Sequence, residues 1–170
     1  AIASAYRGLL AETGEDALVA VRSSVGTWDL SATSFPGQMD TYHNLRGEDE
    51  VLRKVVDCWA SAFSYQAMVN RHSRGIGHFD VFVAPLVQAM IAAESAGVIF
   101  TANPVNGQRD QMVINACLGL GEGVVSGGLQ CDHLVVERGG GVVEEVTGRK
   151  EFKVMLDEDK GRGTRMVPLD

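Results

Sequence analysis

In the stretch 19–45, VAVRSSVGTWDLSATSFPGQMDTYHNL, Arg22 closes a short apolar run and is followed by small, hydroxylated and turn-forming side chains. A guanidinium at the end of a strand can reach out of the sheet and take two phosphate or carboxylate oxygens at once. Ser23, Ser24, Thr27, Ser34 and Gly37 are residue types that let backbone N–H groups approach an anion closely. The chemistry that fits is anion binding, with residues 22–43 forming a loop that cradles phosphate. A second reading stays open beside it: a solvated loop whose Arg22 is ion-paired with Asp29 or Asp40.

Further along, NACLGLGEGVVSGG at 115–128 alternates glycine with small apolar residues around Glu122 and Ser126. It matches neither GxGxxG nor GxxxxGK[ST]. A backbone-led ligand loop and a turn packed tightly on a sheet both explain it. FTANPVNG at 100–107 carries two strong turn signals, Asn-Pro and Asn-Gly, so Thr101 and Asn103 read as turn chemistry ahead of ligand contacts. Gln88 sits among apolar residues in VQAMI and is expected to be a buried amide, satisfied by backbone groups or by the edge of a bound base. His43, His72, His78 and His133 show no metal spacing, and the acids at 110, 122, 132 and 143–159 form no convincing pair for Mg²⁺.

These residues need elements to hold them. Ile2, Ala5, Leu9 and Leu10 recur at helical spacing up to Gly14, and residues 17–21 follow as a strand. Leu52, Val55, Val56, Trp59 and Phe63 form the stripe of one helix over 48–70, with acids in its first turn and RHSRG in its last. Five short runs rich in Val and Ile, at 81–91, 97–101, 111–116, 133–137 and 142–146, predict strands, with RGGGV at 138–142 as a hairpin turn. Strands joined this closely cannot be parallel neighbours. The fold class is therefore α+β, with helix, strand, loop and long helix over about 1–80 and a mostly antiparallel sheet region over about 81–170.

With 170 residues, 45% hydrophobic and 22% charged, the chain suits one domain or a large piece of a two-lobed one. A net charge of −7 argues against attraction to nucleic acid or anionic membranes. No apolar run reaches the about 18 residues of a spanning helix. Three cysteines without CxxC spacing fit a reducing cytoplasm better than a disulfide framework. The first residues, AIASAYRGLL, read as the middle of a helix and lack Met, so a piece of a longer protein is expected.

Taken in order, VAVRSS, SFPGQMDTYHNLRG, CWAS, GVIFTANPVNGQRD, INACLGLGEGVVSGG and GRKEF resemble the N-terminal nucleotide-binding domain of the pyruvate phosphate dikinase and phosphoenolpyruvate synthase family. That family also holds the rifampicin phosphotransferases and glucan water dikinases, and the likeness covers essentially the whole chain. The resemblance implies an ATP-grasp-like fold, with ATP and Mg²⁺ clamped between two α+β lobes. It implies that Arg22, beside Ser24, binds the β/γ oxygens as the catalytic arginine. Gly37 gives a backbone contact, Thr41 a hydroxyl close to the nucleotide, Gln88 recognition of adenine, and Glu122 a place near the γ-phosphate.

The family's Gly-Gly-Lys-Gly segment, its DIEW and QTRP motifs and its phosphohistidine and substrate domains are not in this sequence, so metal ligands are expected outside the chain. Trp28, Pro36 and Pro85 depart from the usual pattern, and Pro85 puts the geometry of the adenine strand in question. The function expected is the ATP-binding part of a dikinase that passes phosphate to a histidine on another domain and then to an acceptor such as pyruvate. The alternatives are an inert isolated module, an antibiotic kinase of the rifampicin type, and a nucleotide-free binder built on the same fold. A homodimer through the surface left by a missing lobe is a further expectation.

Overall fold

The computed structural model describes residues 1–27 and 39–169, so Gly37, Trp28 and Pro36 lie outside the described residues. Two compact units are formed, Ala1–Met90 with Glu158–Gly163, and Ile91–Asp157 with Thr164–Asp170.

In the first unit, helix α1 (Ile2–Thr13) ends where Gly14 takes φ 107°, a region that costs glycine little. Strand β1 (Val19–Thr27) is longer than the sequence predicts. Arg22, Ser23 and Ser24 are strand residues and not the start of a loop. Strand β3 (Val81–Ala89) explains this, running antiparallel along all of β1 from Val19↔Ala89 to Thr27↔Val81. Its ladder gives the serine backbone the partners that a turn would otherwise supply. Pro85 interrupts nothing in this register. β3 is an edge of the β2-β1-β3 sheet, the position where a strand proline is tolerated.

Strand β2 (Tyr42–Leu45) lies on the other side of β1, within a stretch the sequence assigns largely to loop. Val19↔Leu45 and Val21↔Tyr42 leave three steps on β2 against two on β1, a bulge. Asn44 absorbs it at φ 54°, and its amide donates to the Gly163 carbonyl at 2.8 Å.

The helix expected over 48–70 is two helices, α2 (Glu48–Ser61) and α3 (Tyr65–Ser73). The Ser64 hydroxyl caps α3 by accepting from the Ala67 N–H at 3.3 Å. The buried face of α2 is Val51, Val55, Cys58 and Ser61, whereas Val56 and Trp59 are 57% and 43% exposed. The helix carries apolar residues on more than one side, and the face that packs on the sheet is the one with the smaller side chains. Val51, Val55 and Cys58 join Tyr6, Val19, Val21 and Leu45 in the core. Arg71, also buried, donates to the Ala62 carbonyl at 2.5 Å and so ties α3 to the end of α2.

The second unit has a mostly antiparallel sheet as expected, β4 (Ser95–Phe100), β5 (Gln111–Leu118), β6 (Asp132–Glu137) and β7 (Val142–Val146) in that order, but the strand expected at 81–91 is not in it, because β3 pairs with β1 in the first unit. Residues 138–142 form the expected hairpin turn, with Gly140 and Gly141 at φ 91° and 131° and the Glu137 N–H donating to the Gly141 carbonyl at 3.0 Å. The short helix α4 (Glu122–Val125) and the hairpin of β8 (Phe152–Leu156) and β9 (Thr164–Pro168) add to the elements expected. The charged and glycine-containing stretch DEDKGRG between the two strands hides their pairing from a local reading.

Candidate functional site

Alternation along β1 divides its side chains between two faces. Val19 and Val21 are fully buried in the helix-covered core, while Arg22 and Ser24 are exposed on the opposite face. The register sets Leu86 opposite Arg22, Ala84 opposite Ser24 and Gln88 opposite Ala20. Directly opposed residues of an antiparallel pair share a face. Arg22, Ser24 and Gln88 therefore stand together on one open face, with Leu86 and Phe82 beside them, 44% and 45% exposed. Gln88 is exposed and not the buried amide expected, because its neighbours Val87 and Ala89 take the core side of the alternation. Among the described residues no carboxylate lies within ion-pair distance of Arg22, which removes Asp40 as its partner.

Thr41 is exposed and immediately precedes β2. Continuing the register one step beyond Val21↔Tyr42 brings it level with Arg22. The end of α2 holds the segment before β2 in place. The Asp40 N–H donates to Ser61 Oγ at 3.2 Å, and the Cys58 thiol reaches the Asp40 carbonyl at 3.8 Å. Ser61 Oγ in turn donates to the Cys58 carbonyl at 2.8 Å. Trp59, between them, donates its indole N–H to the Val83 carbonyl of β3 at 3.0 Å. These contacts give CWAS a physical role that its letters alone do not reveal: Cys58 and Ser61 fasten the Thr41 segment while Trp59 fastens β3.

On the other side of Thr41, the Tyr42 hydroxyl donates to Asp40 Oδ2 at 3.2 Å and its ring lies 4.5 Å from Lys54 Nζ. Burial, followed by the Asp40 charge, pushes the Tyr42 phenol up to about 12. Burial and Asp40 raise the Cys58 thiol as well. The only hint of this cluster in the sequence is the i, i+3 spacing of Cys58 and Ser61, which puts both on one helical face.

Glu122 belongs to the second unit. It opens α4, and its carboxylate accepts from the Thr164 hydroxyl at 2.7 Å. The glycine run around it is packed tightly on β8. Gly119, at φ 84°, forms a parallel bridge with Val154, whose carbonyl oxygen leaves no room for a Cβ. A Cβ on Gly123 would lie 2.6 Å from Leu129 and 3.3 Å from Cys117 Sγ. Of the two readings of this run, tight packing is the one the geometry supports. Asn103 likewise serves its turn: its Oδ1 accepts from the Val105 N–H at 3.0 Å and its Nδ2 donates to Gln111 at 2.9 Å. Thr101 lends its carbonyl to the Arg138 guanidinium at 2.6 Å.

In GRKEF, Lys150 and the Gly148 N–H both donate to Asp132 Oδ1, at 2.7 and 2.9 Å. Lys150 first, and Gly148 second, hold that carboxyl below its usual range. Among the described residues no group of three or more His, Cys, Asp or Glu side chains is placed to hold a metal ion. No helix among them is long and apolar enough to cross a membrane.

The family described as pyruvate phosphate dikinase, AMP/ATP-binding domain, matches residues 1–170. Phosphoenolpyruvate synthase of Pyrococcus furiosus is 44% identical over 170 residues, covering 99% of this chain and 21% of that protein. A probable phosphoenolpyruvate synthase of Methanocaldococcus jannaschii is 43% identical over 172 residues, covering 100% of this chain and 14% of its own length. A rifampicin phosphotransferase of a Streptomyces species is 40% identical over 169 residues, 99% of this chain and 19% of that protein. The chain thus spans about a fifth or less of the length of these relatives. The resemblance carried by the six segments holds along the whole sequence, and the chain belongs to the AMP/ATP-binding domain family of the pyruvate phosphate dikinases.

Proposed function

We propose that this chain is the ATP-holding portion of a phosphoenolpyruvate synthase-like dikinase, in which phosphate passes from ATP to a catalytic histidine on another domain and then to an acceptor such as pyruvate. The observation that carries the reading is the family match over 1–170 joined to one open sheet face bearing Arg22, Ser24 and Gln88. Arg22 binds the β/γ oxygens of the triphosphate, where a planar fork with two parallel N–H donors suits phosphate geometry. Ser24 stands on the same face, one pleat repeat along. Gln88 recognises the base edge, and Leu86 and Phe82 offer apolar ground for the purine. Thr41 adds its hydroxyl, Gly37 a backbone contact, and Glu122 a role at the γ-phosphate, as the family resemblance implies.

Phosphoryl transfer asks a protein mostly for positioning and for charge placed in advance, and these residues supply both. Mg²⁺, when bound, neutralises phosphate charge, and its ligands come from outside this chain. The wider setting is cytoplasmic, with phosphohistidine and substrate domains as partners and self-association into a homodimer. Rifampicin is a second acceptor class, favoured by the relative that is 40% identical over 99% of the chain.

Calorimetric titration of the chain with ATP in Mg²⁺ buffer tests this, with Arg22→Ala and Arg22→Lys alongside. The parent should bind. Arg22→Ala should bind about 10–150-fold more weakly, the loss expected of a charged hydrogen bond worth about 1.5–3 kcal/mol, and Arg22→Lys should fall between. Equal binding by Arg22→Ala would remove the arginine from the site. A parent that binds no ATP would leave this chain as scaffold, catalytically inert by itself.

A further inference from the structure

β5 and β6 pair through Asn115↔His133 and Ala116↔Asp132, so the next pair outward is Cys117 with Cys131. Opposed side chains on this face do meet: His133 Nδ1 lies 2.8 Å from Asn115 Oδ1. Cys117 and Cys131 stand two residues along from that pair, one on each strand line, and so point to the same face. Directly opposed antiparallel residues have Cα atoms about 4.5–5.5 Å apart, within the about 4.4–6.8 Å that a disulfide spans. Both thiols are free. The backbone on one side is pinned, because Gly148 sits so close to Gln130 and Cys131 that no Cβ would fit there. Cys117 is covered by Gly123. Cys131 is half-buried and lines a cavity of about 480 Å³ with Val98, Phe100, Asn115 and Leu129.

We propose that Cys117 and Cys131 are a reversible dithiol–disulfide pair, oxidised by small disulfides that reach Cys131 through this cavity. In the first step the Cys131 thiolate attacks one sulfur of oxidised glutathione, forming a mixed disulfide and releasing one glutathione thiolate. In the second the Cys117 thiolate attacks Cys131 Sγ and displaces the other glutathione. Two protein thiols are oxidised, one glutathione disulfide is reduced to two thiols, and the two protons from the cysteines end on those thiols. Accessibility sets the order. Cys117 is 6% exposed, and its thiol is pushed up to about 11, first by burial and then by Cys131. It therefore holds little thiolate and serves as the resolving partner.

The test incubates the native 170-residue chain with oxidised glutathione, then unfolds it and alkylates whatever thiols remain. Of the three free cysteines, only Cys58 should be labelled after oxidation, and all three should be labelled again after dithiothreitol. Cys117 and Cys131 share one tryptic peptide, because no Lys or Arg lies between Arg109 and Arg138. The oxidised peptide should therefore be two hydrogens lighter, without glutathione. In Cys117→Ser the mixed disulfide should instead persist on Cys131. Three alkylated cysteines under conditions that oxidise a reference dithiol would overturn the proposal. So would a stable glutathione adduct on Cys131 of the parent, or a bond joining two chains. The parent alone gives these readings, so they do not depend on any variant folding.

Discussion

Asp40 is the residue that joins helix α2 to the Thr41 segment: its backbone is bonded to Ser61 and Cys58, and its carboxylate accepts from the Tyr42 hydroxyl. A phenol held neutral by the fold binds its proton more tightly in the folded chain than in the unfolded one. Its stabilisation is therefore complete below the ordinary value of 10.0 and is lost as pH rises through about 12. Tyr42→Phe should be less sensitive to alkali than the parent over that interval, once each is referred to its own stability near neutrality. Urea midpoints measured across pH 10 to 12 would show this, and parallel curves would mean that the phenol is not held as described. Arg22 and Gln88 make the complementary point about exposure. Their side chains are open to a ligand because strand alternation turns them away from the core, leaving Val21 and Val87 to fill it.

At the scale of elements, the glycine run between β5 and β6 shows why a composition can be right for the wrong reason. Gly119 needs both a positive φ and an empty Cβ position, because the Val154 carbonyl lies against it. Gly127 also has a positive φ, 68°, but nothing lies within 4 Å of the point where a methyl group would stand. Gly127→Ala should cost about 1–2 kcal/mol, the left-handed penalty alone. Gly119→Ala should cost about 2–5 kcal/mol, because crowding against β8 is added. Chemical denaturation of the two variants separates the contributions. Equal losses would mean that β8 does not pack on this turn. The break between α2 and α3 belongs to the same scale: a serine cap at Ser64 and a buried arginine at Arg71 outweigh a hydrophobic pattern that reads as continuous.

For the whole chain, the nucleotide reading makes ATP a ligand of the folded state, and any such ligand raises apparent stability by mass action. At about 100 times its dissociation constant, ATP should add about 2.7 kcal/mol. For a domain of this size that corresponds to a rise in Tm of about 5–10 °C. Differential scanning fluorimetry of the parent and Arg22→Ala across an ATP series would measure it, with a smaller rise in the variant at every concentration. A melt that ATP leaves unmoved would count against a preformed triphosphate site on this chain.

The sequence by itself determined what is local. Amphipathic spacing and Gly14 marked α1, the acids at 48–50 marked the start of α2, and glycines at 139–141 marked the β6–β7 hairpin. It also determined family membership, since six ordered segments carry far more information than any one of them. The tertiary structure decided what depends on a distant partner. Arg22 and Ser24 are in a strand and not a loop because β3, much later in the chain, completes their ladder. Gln88 is out and not in because helices cover the other face of that sheet, and the inward stripe of α2 was chosen among several by the sheet it packs on. Periodicity and turn chemistry act over a few residues, so they are legible in the chain. Which strand pairs with which, and which face is covered, are settled only by contacts between residues far apart in sequence.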